Sequence, residues 1–125
     1  MSFSDWEKFQ FLAKELVTRA DEAMFRSAIN RSYYASFQTS ISFAEAFYSF
    51  VKDRTGEDHK RIIEELRSKK DKFIKQVSRD LSRLKDNRRK ADYDERIAIT
   101  QPIASVSVQM ADDIIQSLKN YSPTP

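Results

Sequence analysis

The sequence predicts an all-α protein, folded as an up-and-down bundle of four to five helices. Only one glycine and three prolines interrupt 125 residues, which leaves few breaks for the many turns of a sheet. Apolar residues recur at steps of three and four, a spacing that fits one face of a helix and not a strand. We expect a single domain over residues 1–120 and a flexible tail over residues 121–125.

The most informative segment is an expected central helix from Met24 to Val51. Between Ser32 and Ala44 it carries no charged residue, although 33% of the chain is charged. A helix that is so long and so uncharged is expected to be surrounded by the others. One face is an apolar stripe that is expected in the core: Phe25, Ile29, Tyr33, Phe37, Ile41, Ala44, Tyr48 and Val51. A second face is a stripe of small residues that lets a neighbouring helix approach closely: Ala28, Ser32, Ser36 and Ser40. A third, polar face is where we expect a functional site: Arg31, Tyr34, Gln38 and Glu45.

Start and stop signals flank the central helix. Ser4, followed three residues later by Glu7, is the pattern of a capping box, so a first helix is expected to start there and to end near Arg19. Asp21 is expected to cap the central helix. Gly56, the only glycine, predicts a turn with a positive φ angle before a third helix.

Two amphipathic helices are expected after this turn. The third helix points His59 toward the core or its rim, on the same face as Ile62, Ile63 and Leu66. After a break at residues 68–70, the apolar edge of a fourth helix is expected to consist of Phe73, Val77, Leu81 and Leu84. The charged run of residues 86–96 is expected to end this helix and to pass into a loop.

A last helix is expected after the cap Thr100, with Pro102 in its first turn. It is expected to bury an apolar stripe that consists of Ile103, Val106, Met110, Ile114 and Leu118. Val108 and Ile115 widen this apolar arc beyond what one contact inside the bundle needs. We therefore expect a homodimer that uses the last helix.

Positive charge is concentrated in the third quarter of the chain. The net charge is only +3, but residues 60–96 hold 14 Lys and Arg against 8 Asp and Glu. Opposite the apolar edge of the fourth helix, four cations share one side: Lys72, Lys75, Arg79 and Arg83. Such a stripe is either an ordinary solvated face or a surface for nucleic acid.

The composition excludes several kinds of site. There is no cysteine, so the chain has neither a disulfide nor a thiol nucleophile, and the cytoplasm is the expected compartment. One histidine and scattered carboxylates do not make a set of metal ligands, and no cofactor is expected. No segment approaches the roughly 20 apolar residues that span a bilayer, so we expect no membrane contact.

Two short motifs carry a resemblance to a known superfamily. The first is Arg31-Ser-Tyr-Tyr-Ala35 on the central helix, and the second is Arg89-Lys-Ala-Asp-Tyr-Asp94, expected after the fourth helix. His59 lies between them, at the start of the third helix. With these features in this order, the chain resembles the HEPN superfamily, and within it a branch of small stand-alone proteins with R-x-YYA and R-x-ADYD motifs.

The resemblance implies a helical bundle, often a homodimer, of a prokaryotic toxin–antitoxin or other defence system. RNA, an antitoxin or a nucleotidyltransferase is the implied partner. Many members are metal-independent ribonucleases, in which four to six residues separate an arginine from a histidine, the spacing of Arg54 and His59 here. Cleavage through the 2′-hydroxyl needs a proton acceptor near neutral pH and a cation on the phosphate. The candidate catalytic residues are therefore His59, Arg54 and Arg31, and the candidate RNA-binding residues are Lys72, Lys75, Arg79, Arg83, Arg88 and Arg89.

A non-enzymatic interpretation stays open for the same residues. In it the protein is an interaction or regulatory module that acts as a helical homodimer, and the motifs only hold the fold. Arg31 would then pair with Asp92 or Asp94 in a buried salt bridge, and His59 would be a structural hydrogen-bonding residue. The structural motif residues of this interpretation are Tyr33, Tyr34, Asp92, Tyr93 and Asp94.

Overall fold

The computed structural model describes residues 3–18 and 21–122, and the side chains of residues 6–18 and 21–122. In this part of the chain every element of regular structure is a helix, which confirms the predicted all-α class. Five helices form the bundle: α1 (Phe3–Leu16), α2 (Glu22–Tyr48), α3 (Asp58–Arg67), α4 (Lys72–Tyr93) and α5 (Gln101–Lys119). None of these five is both long and apolar enough to cross a membrane.

Carboxylate caps start two of the helices. Asp21 accepts a hydrogen bond of 2.8 Å from the backbone N–H of Ala23 at the start of α2, as predicted. Asp71 does the same for α4, with 2.8 Å to the backbone nitrogen of Phe73. Such a cap contributes about 0.5–2 kcal/mol to stability. Thr100 occupies the predicted N-cap position of α5, although its side chain makes no capping hydrogen bond.

Four helix ends differ from the prediction. α1 begins at Phe3, so Ser4 is its second residue and not its cap, and α1 ends at Leu16 rather than near Arg19. α2 ends at Tyr48 and not at Val51. The reason is Ser49, whose φ of 56° is left-handed. The next N–H, that of Phe50, donates back to the carbonyl of Ala44 at 3.2 Å, a pattern that closes a helix.

The fourth difference is at the end of α4, which continues to Tyr93. The R-x-ADYD motif was expected in a loop, but most of it forms the last turn of α4, and only Asp94 follows the helix. The N–H of Asp94 still donates to the carbonyl of Lys90 at 3.1 Å. Side chains four positions apart in this motif therefore lie on the same side of a helix.

α2 is the central helix, and it packs against all four of the others. The small residues at positions 28, 32, 36 and 40 are fully buried, as expected for a close helix contact. Ala28 packs with Ala13 of α1 and Val108 of α5. The hydroxyls of Ser36 and Ser40 donate to carbonyls one turn earlier in α2, at 3.0 and 2.8 Å. The hydroxyl of Ser32 is buried at the same contact without a hydrogen-bond partner.

The turn between α2 and α3 has the predicted left-handed glycine. Gly56 has φ +79°, and a Cβ atom there would meet nothing within 4 Å, so the backbone angle and not space favours glycine. Arg54 also has a positive φ, of 62°. The carboxylate of Asp58 accepts from the backbone N–H groups of Asp53 and Arg54, at 3.2 and 3.3 Å. This turn fixes the start of α3, and hence the position of His59.

Four predicted core residues are exposed instead, and one of them is Val51, which lies beyond the end of α2. Phe73 is 75% exposed, and its neighbour Ile74 is buried in its place. On α5, Ile103 is 40% and Val106 is 56% exposed. The reason is that α5 turns its small residues toward the bundle, where they permit a close contact: Ala104, Ser107 and Ala111 are fully buried. Val108 and Ile115, which had been assigned to the outer edge of the arc, are buried with them.

The flexible tail was predicted to begin at residue 121, but Tyr121 packs on the bundle. Tyr121 is partly buried, and its ring lies 5.1 Å from that of Phe43 and 5.6 Å from that of Phe47, both in edge-to-face geometry. The bundle therefore includes residue 121. Residues 123–125 of the expected tail lie outside the described part of the chain.

Candidate functional site

The single histidine lies where α2, α3 and α4 meet. His59 is in the first turn of α3, and its ring stacks on Phe37 of α2 with 4.0 Å between centroids and 5° between planes. The hydroxyl of Tyr33 and Nδ1 of His59 form a hydrogen bond. Arg88 of α4 completes the group, which we call the His59 cluster: Tyr33, Phe37, His59 and Arg88. The prediction that His59 faces the core rim is confirmed.

The surroundings of His59 keep its imidazole neutral. Burial lowers the pKa of His59, and the positive charges of Arg88 and Lys85 lower it further, while Asp58 opposes them. The Nε2 atom makes no hydrogen bond with any described residue, yet it is not among the buried atoms that lack a partner. His59 thus turns one nitrogen to the core and leaves the other open to solvent.

Arg88 is a buried cation that is held mostly by aromatic rings. It is only 9% exposed. Its guanidinium carbon lies 5.0 Å from the ring centroid of Tyr33, 5.7 Å from that of Tyr34 and 5.8 Å from that of Tyr93, all within cation–π range. Its nearest carboxylate is a loose partner, Asp92 at 3.6 Å, and its Nε is buried without a hydrogen bond. This arginine was predicted to bind RNA as part of an exposed basic surface, but it lies on the buried face of α4 and is not part of such a surface.

Burial also changes Tyr33, which has no exposed surface. It raises the pKa of the Tyr33 hydroxyl far above the ordinary value, although the charge of Arg88 opposes the shift. Tyr33 therefore stays protonated at any physiological pH. The prediction that this residue belongs to the core is confirmed.

The predicted salt bridge from Arg31 to Asp92 or Asp94 is wrong. Asp92 instead accepts a hydrogen bond of 2.9 Å from the amide of Asn30, besides its contact with Arg88. Asp94 pairs with Arg96 at 3.3 Å. Arg31 makes no ion pair with any described residue, and its Nε is buried without a partner. Other residues of α2 contact the second motif instead of Arg31: Asn30 binds Asp92, and Arg26 binds the carbonyl of Asp94.

Arg26 is one of these residues, and the sequence analysis missed it. One of its terminal nitrogens, Nη1, donates to the carbonyls of Ala91, Lys90 and Asp94 at 2.8, 3.2 and 3.3 Å. The other, Nη2, donates to the carbonyl of Ile97 and to Glu22. A cation at the C-terminus of α4 complements the helix dipole and donates to carbonyls at and beyond the end of the helix. Arg26 therefore ties the end of α4 to α2.

The two motifs do meet, although not through Arg31. A cleft of about 410 Å³ separates α2 from the last turn of α4, and we call it the Asp92 cleft. It is lined by Arg26, Ser27, Asn30, Arg31, Ala91, Asp92 and Tyr93. Tyr93 is 74% exposed at its edge, so it does not belong to the core.

Arg54 and His59 have the sequence spacing of the family motif, but the structure shows no hydrogen bond between their side chains. Arg54 is exposed in the turn before α3, and its side chain forms no hydrogen bond or ion pair with the part of the chain that the structure describes. The cation that acts on His59 is Arg88, 29 residues later in the sequence. Periodicity is the signal for Arg88, because Leu81, Leu84, Arg88 and Ala91 follow one another on the buried face of α4.

The four cations of the predicted stripe lie along the outer side of α4, and we call them the α4 basic face: Lys72, Lys75, Arg79 and Arg83. None of them forms an ion pair within residues 6–18 and 21–122. Lys75 reaches the carbonyl of Arg67 at 3.3 Å, and Arg79 reaches Gln76 at 3.0 Å. Arg89 is exposed near the end of the same helix. Positive charge here is not neutralised by direct carboxylate contacts.

Among the described residues, no group of three or more His, Asp or Glu side chains is arranged to hold a metal ion. Comparison of the chain with protein families, with curated proteins and with solved structures gave no match. The class that the molecule itself defines is a five-helix bundle with a partly buried His–Tyr–Arg cluster and a basic outer helix. The HEPN resemblance stays a prediction from the two motifs.

Proposed function

We propose that this protein is a HEPN-like, RNA-binding component of a prokaryotic toxin–antitoxin or other defence system. The all-α bundle and the meeting of the two motifs at the Asp92 cleft support the family assignment. A cytoplasmic setting belongs to the same proposal and is supported by the cysteine-free composition. An antitoxin or a nucleotidyltransferase as protein partner rests on the resemblance alone.

The α4 basic face is the observation that carries the RNA-binding proposal. Its cations have no carboxylate partners among the described residues, so phosphates of a ligand would not have to displace an internal ion pair. Backbone phosphates bound by Lys and Arg release counterions, which makes affinity fall steeply as salt is added. The basic face shares no residue with the His59 cluster, so binding and any chemistry can be tested with different variants.

A salt series tests RNA binding. We expect the affinity for a short single-stranded RNA to fall with salt, and the double variant Arg79→Gln/Arg83→Gln to bind more weakly with a shallower salt dependence. Two lost phosphate contacts reduce the slope of log K against log salt by about 1.4 for a single strand. The matched control is Lys8→Gln/Lys52→Gln, which removes the same charge from two exposed lysines on α1 and in the turn after α2. Equal loss in both double variants would show a general charge effect and contradict the proposed face.

Metal-independent RNA cleavage at His59 is a second candidate. The observation that favours it is the lowered pKa of His59, which leaves the imidazole uncharged near neutral pH beside the cation of Arg88. A neutral imidazole is the usual proton acceptor for a hydroxyl nucleophile. If cleavage occurs by this route, it survives EDTA, leaves 2′,3′-cyclic phosphate or 3′-phosphate ends, and disappears in His59→Ala. Cleavage that persists in His59→Ala would contradict it.

The alternative is a non-enzymatic interaction module that acts as a homodimer. Its supporting observation is the pair of exposed apolar side chains on α5, Ile103 and Val106, beside a cavity of about 440 Å³ between α4 and α5. We expect a dimer in light scattering at tens of micromolar, and a monomer for Val106→Asp. The control is Phe73→Asp, which changes an exposed apolar residue on another helix. A wild-type monomer would contradict the dimer.

A further inference from the structure

The hydroxyl of Tyr33 has only one place to direct its proton. Tyr33 has no exposed surface, so bulk water does not reach the hydroxyl. Within the described residues the one acceptor that hydrogen-bonds this hydroxyl is Nδ1 of His59, since Arg88 beside it can only donate. A buried donor without an acceptor destabilises the folded state, because it has lost its hydrogen bond to water. The hydroxyl proton therefore points at Nδ1.

This direction decides the tautomer of the imidazole. In a neutral histidine one ring nitrogen donates and the other accepts, so Nδ1 accepts only when it carries no proton. The reverse arrangement, with Nδ1–H donating to the Tyr33 oxygen, would leave the tyrosine proton with no acceptor. Arg88, the other polar group beside Tyr33, cannot accept this proton, because a guanidinium has only hydrogen-bond donors.

We propose that Tyr33 holds His59 as the Nε2–H tautomer, so that the His59 cluster offers hydrogen-bond donors to a phosphate oxygen and does not accept a proton from a hydroxyl. Tyr33 is thus a positioning residue that acts through His59. The phosphate part of this inference rests on the proposed RNA binding, whereas the tautomer does not. It also decides between the candidate functions, because a ring nitrogen that already carries a proton cannot serve as the base for cleavage.

The groups that face the ring support a neutral donor. From α2 the rings of Tyr33, Tyr34 and Phe37 pack on it. From α4 the cations Arg88 and Lys85 disfavour a second proton on the ring, and on α3 the carboxylate of Asp58 opposes them. The open Nε2 atom is therefore an N–H donor near a guanidinium. That pairing suits the oxygen of a phosphodiester, which accepts hydrogen bonds and carries negative charge.

Nitrogen NMR tests the tautomer directly, because the chain has one histidine and its ring signals need no further assignment. In the ligand-free protein, above the pH at which His59 titrates, we expect Nδ1 to show the shift of an unprotonated ring nitrogen and Nε2 that of a protonated one. In Tyr33→Phe the donor is absent, and both tautomers should become populated. Tyr34→Phe is the matched control, since the hydroxyl of Tyr34 makes no hydrogen bond with a described residue.

The opposite assignment in the wild type, or an unchanged spectrum in Tyr33→Phe, would overturn the inference. If Tyr33→Phe does not fold, the wild-type spectrum alone decides. Titration with a short single-stranded RNA should then move the Nε2 signal and leave Nδ1 unprotonated. RNA that binds without moving Nε2 would refute the phosphate contact, and an absence of RNA binding would refute the proposed function while the tautomer still stands.

Discussion

Replacing Arg26 by Met should destabilise the bundle, whereas the same replacement at Arg31 should cost little. The two arginines lie on the same helix and differ in their contacts. Arg26 donates to four backbone carbonyls at and beyond the end of α4, and Arg31 forms no ion pair in the described chain. The motif alone suggests the reverse order, because Arg31 belongs to it and Arg26 does not. Methionine keeps the aliphatic stem, so the comparison isolates the guanidinium.

The magnitude follows from the hydrogen bonds of Arg26. The side chain is 22% exposed, so solvent competes only weakly for these carbonyls. Nη1 is shared among three carbonyls, and we count it as one effective bond, to Ala91, with a second from Nη2 to Ile97. A hydrogen bond to a charged group contributes about 1.5 kcal/mol at the low end, which gives roughly 3 kcal/mol for two. For a domain of this size that corresponds to a drop in Tm of roughly 10 °C.

Thermal and urea unfolding, followed by far-UV circular dichroism, measures both variants against the wild type. For Arg31→Met we expect a change below about 1 kcal/mol, because no internal partner is lost. The reasoning is refuted if Arg31→Met costs as much as Arg26→Met, or if Arg26→Met falls within the range of an ordinary surface substitution. Crystals of either variant would show whether the last turn of α4 has moved.

Three further outcomes are expected. Burial and the charges of Arg88 and Lys85 hold the pKa of His59 below its ordinary 6.5. The stability of the fold is therefore full above pH 6.5 and falls below it, because the unfolded chain takes up the proton more readily than the folded one. Urea titrations at a series of pH values should show a smaller fall in His59→Gln. Phe73→Ala should change stability by less than about 0.5 kcal/mol and Ile74→Ala by about 2–5 kcal/mol, in the same assay. Gly56→Ala should cost about 1–2 kcal/mol through its positive φ alone, and a cost near zero would contradict that reason.

The fold was largely predictable because its signals are local. Helix periodicity, the cap at Asp21 and the left-handed turn at Gly56 each depend on a few consecutive residues and the backbone angles they permit. The errors lie where local signals compete. Phe73 and Ile74 are adjacent apolar residues, so a periodic pattern shifted by one residue fits almost as well. The pattern predicted Phe73 in the core, whereas Ile74 is the buried residue. On α5, Val106 was predicted to be buried in the bundle, whereas Val108 is the buried one. The choice between them depends on which side of α5 meets α2.

The candidate site was predictable only in part. The sequence identifies His59 because it is the one side chain that ordinarily titrates near neutral pH, and Tyr33 because it belongs to the R-x-YYA motif. Arg88 was assigned to the surface because arginine is rarely buried, although it continues the buried stripe of Leu81 and Leu84. Spacing along the chain favoured Arg54, but the positive φ of that residue places it in an exposed turn.

The sequence by itself determined the helices, their approximate ends, the uncharged central helix and the charge of the outer one, because each is set by residue type and by spacing of three or four positions. Only the tertiary structure decided the partners. That Arg88 approaches His59, that Tyr33 donates to its ring and that Arg26 holds the end of α4 depend on how three helices are rotated against one another. That rotation is set by packing of small and large side chains over the whole interface, which no short motif encodes.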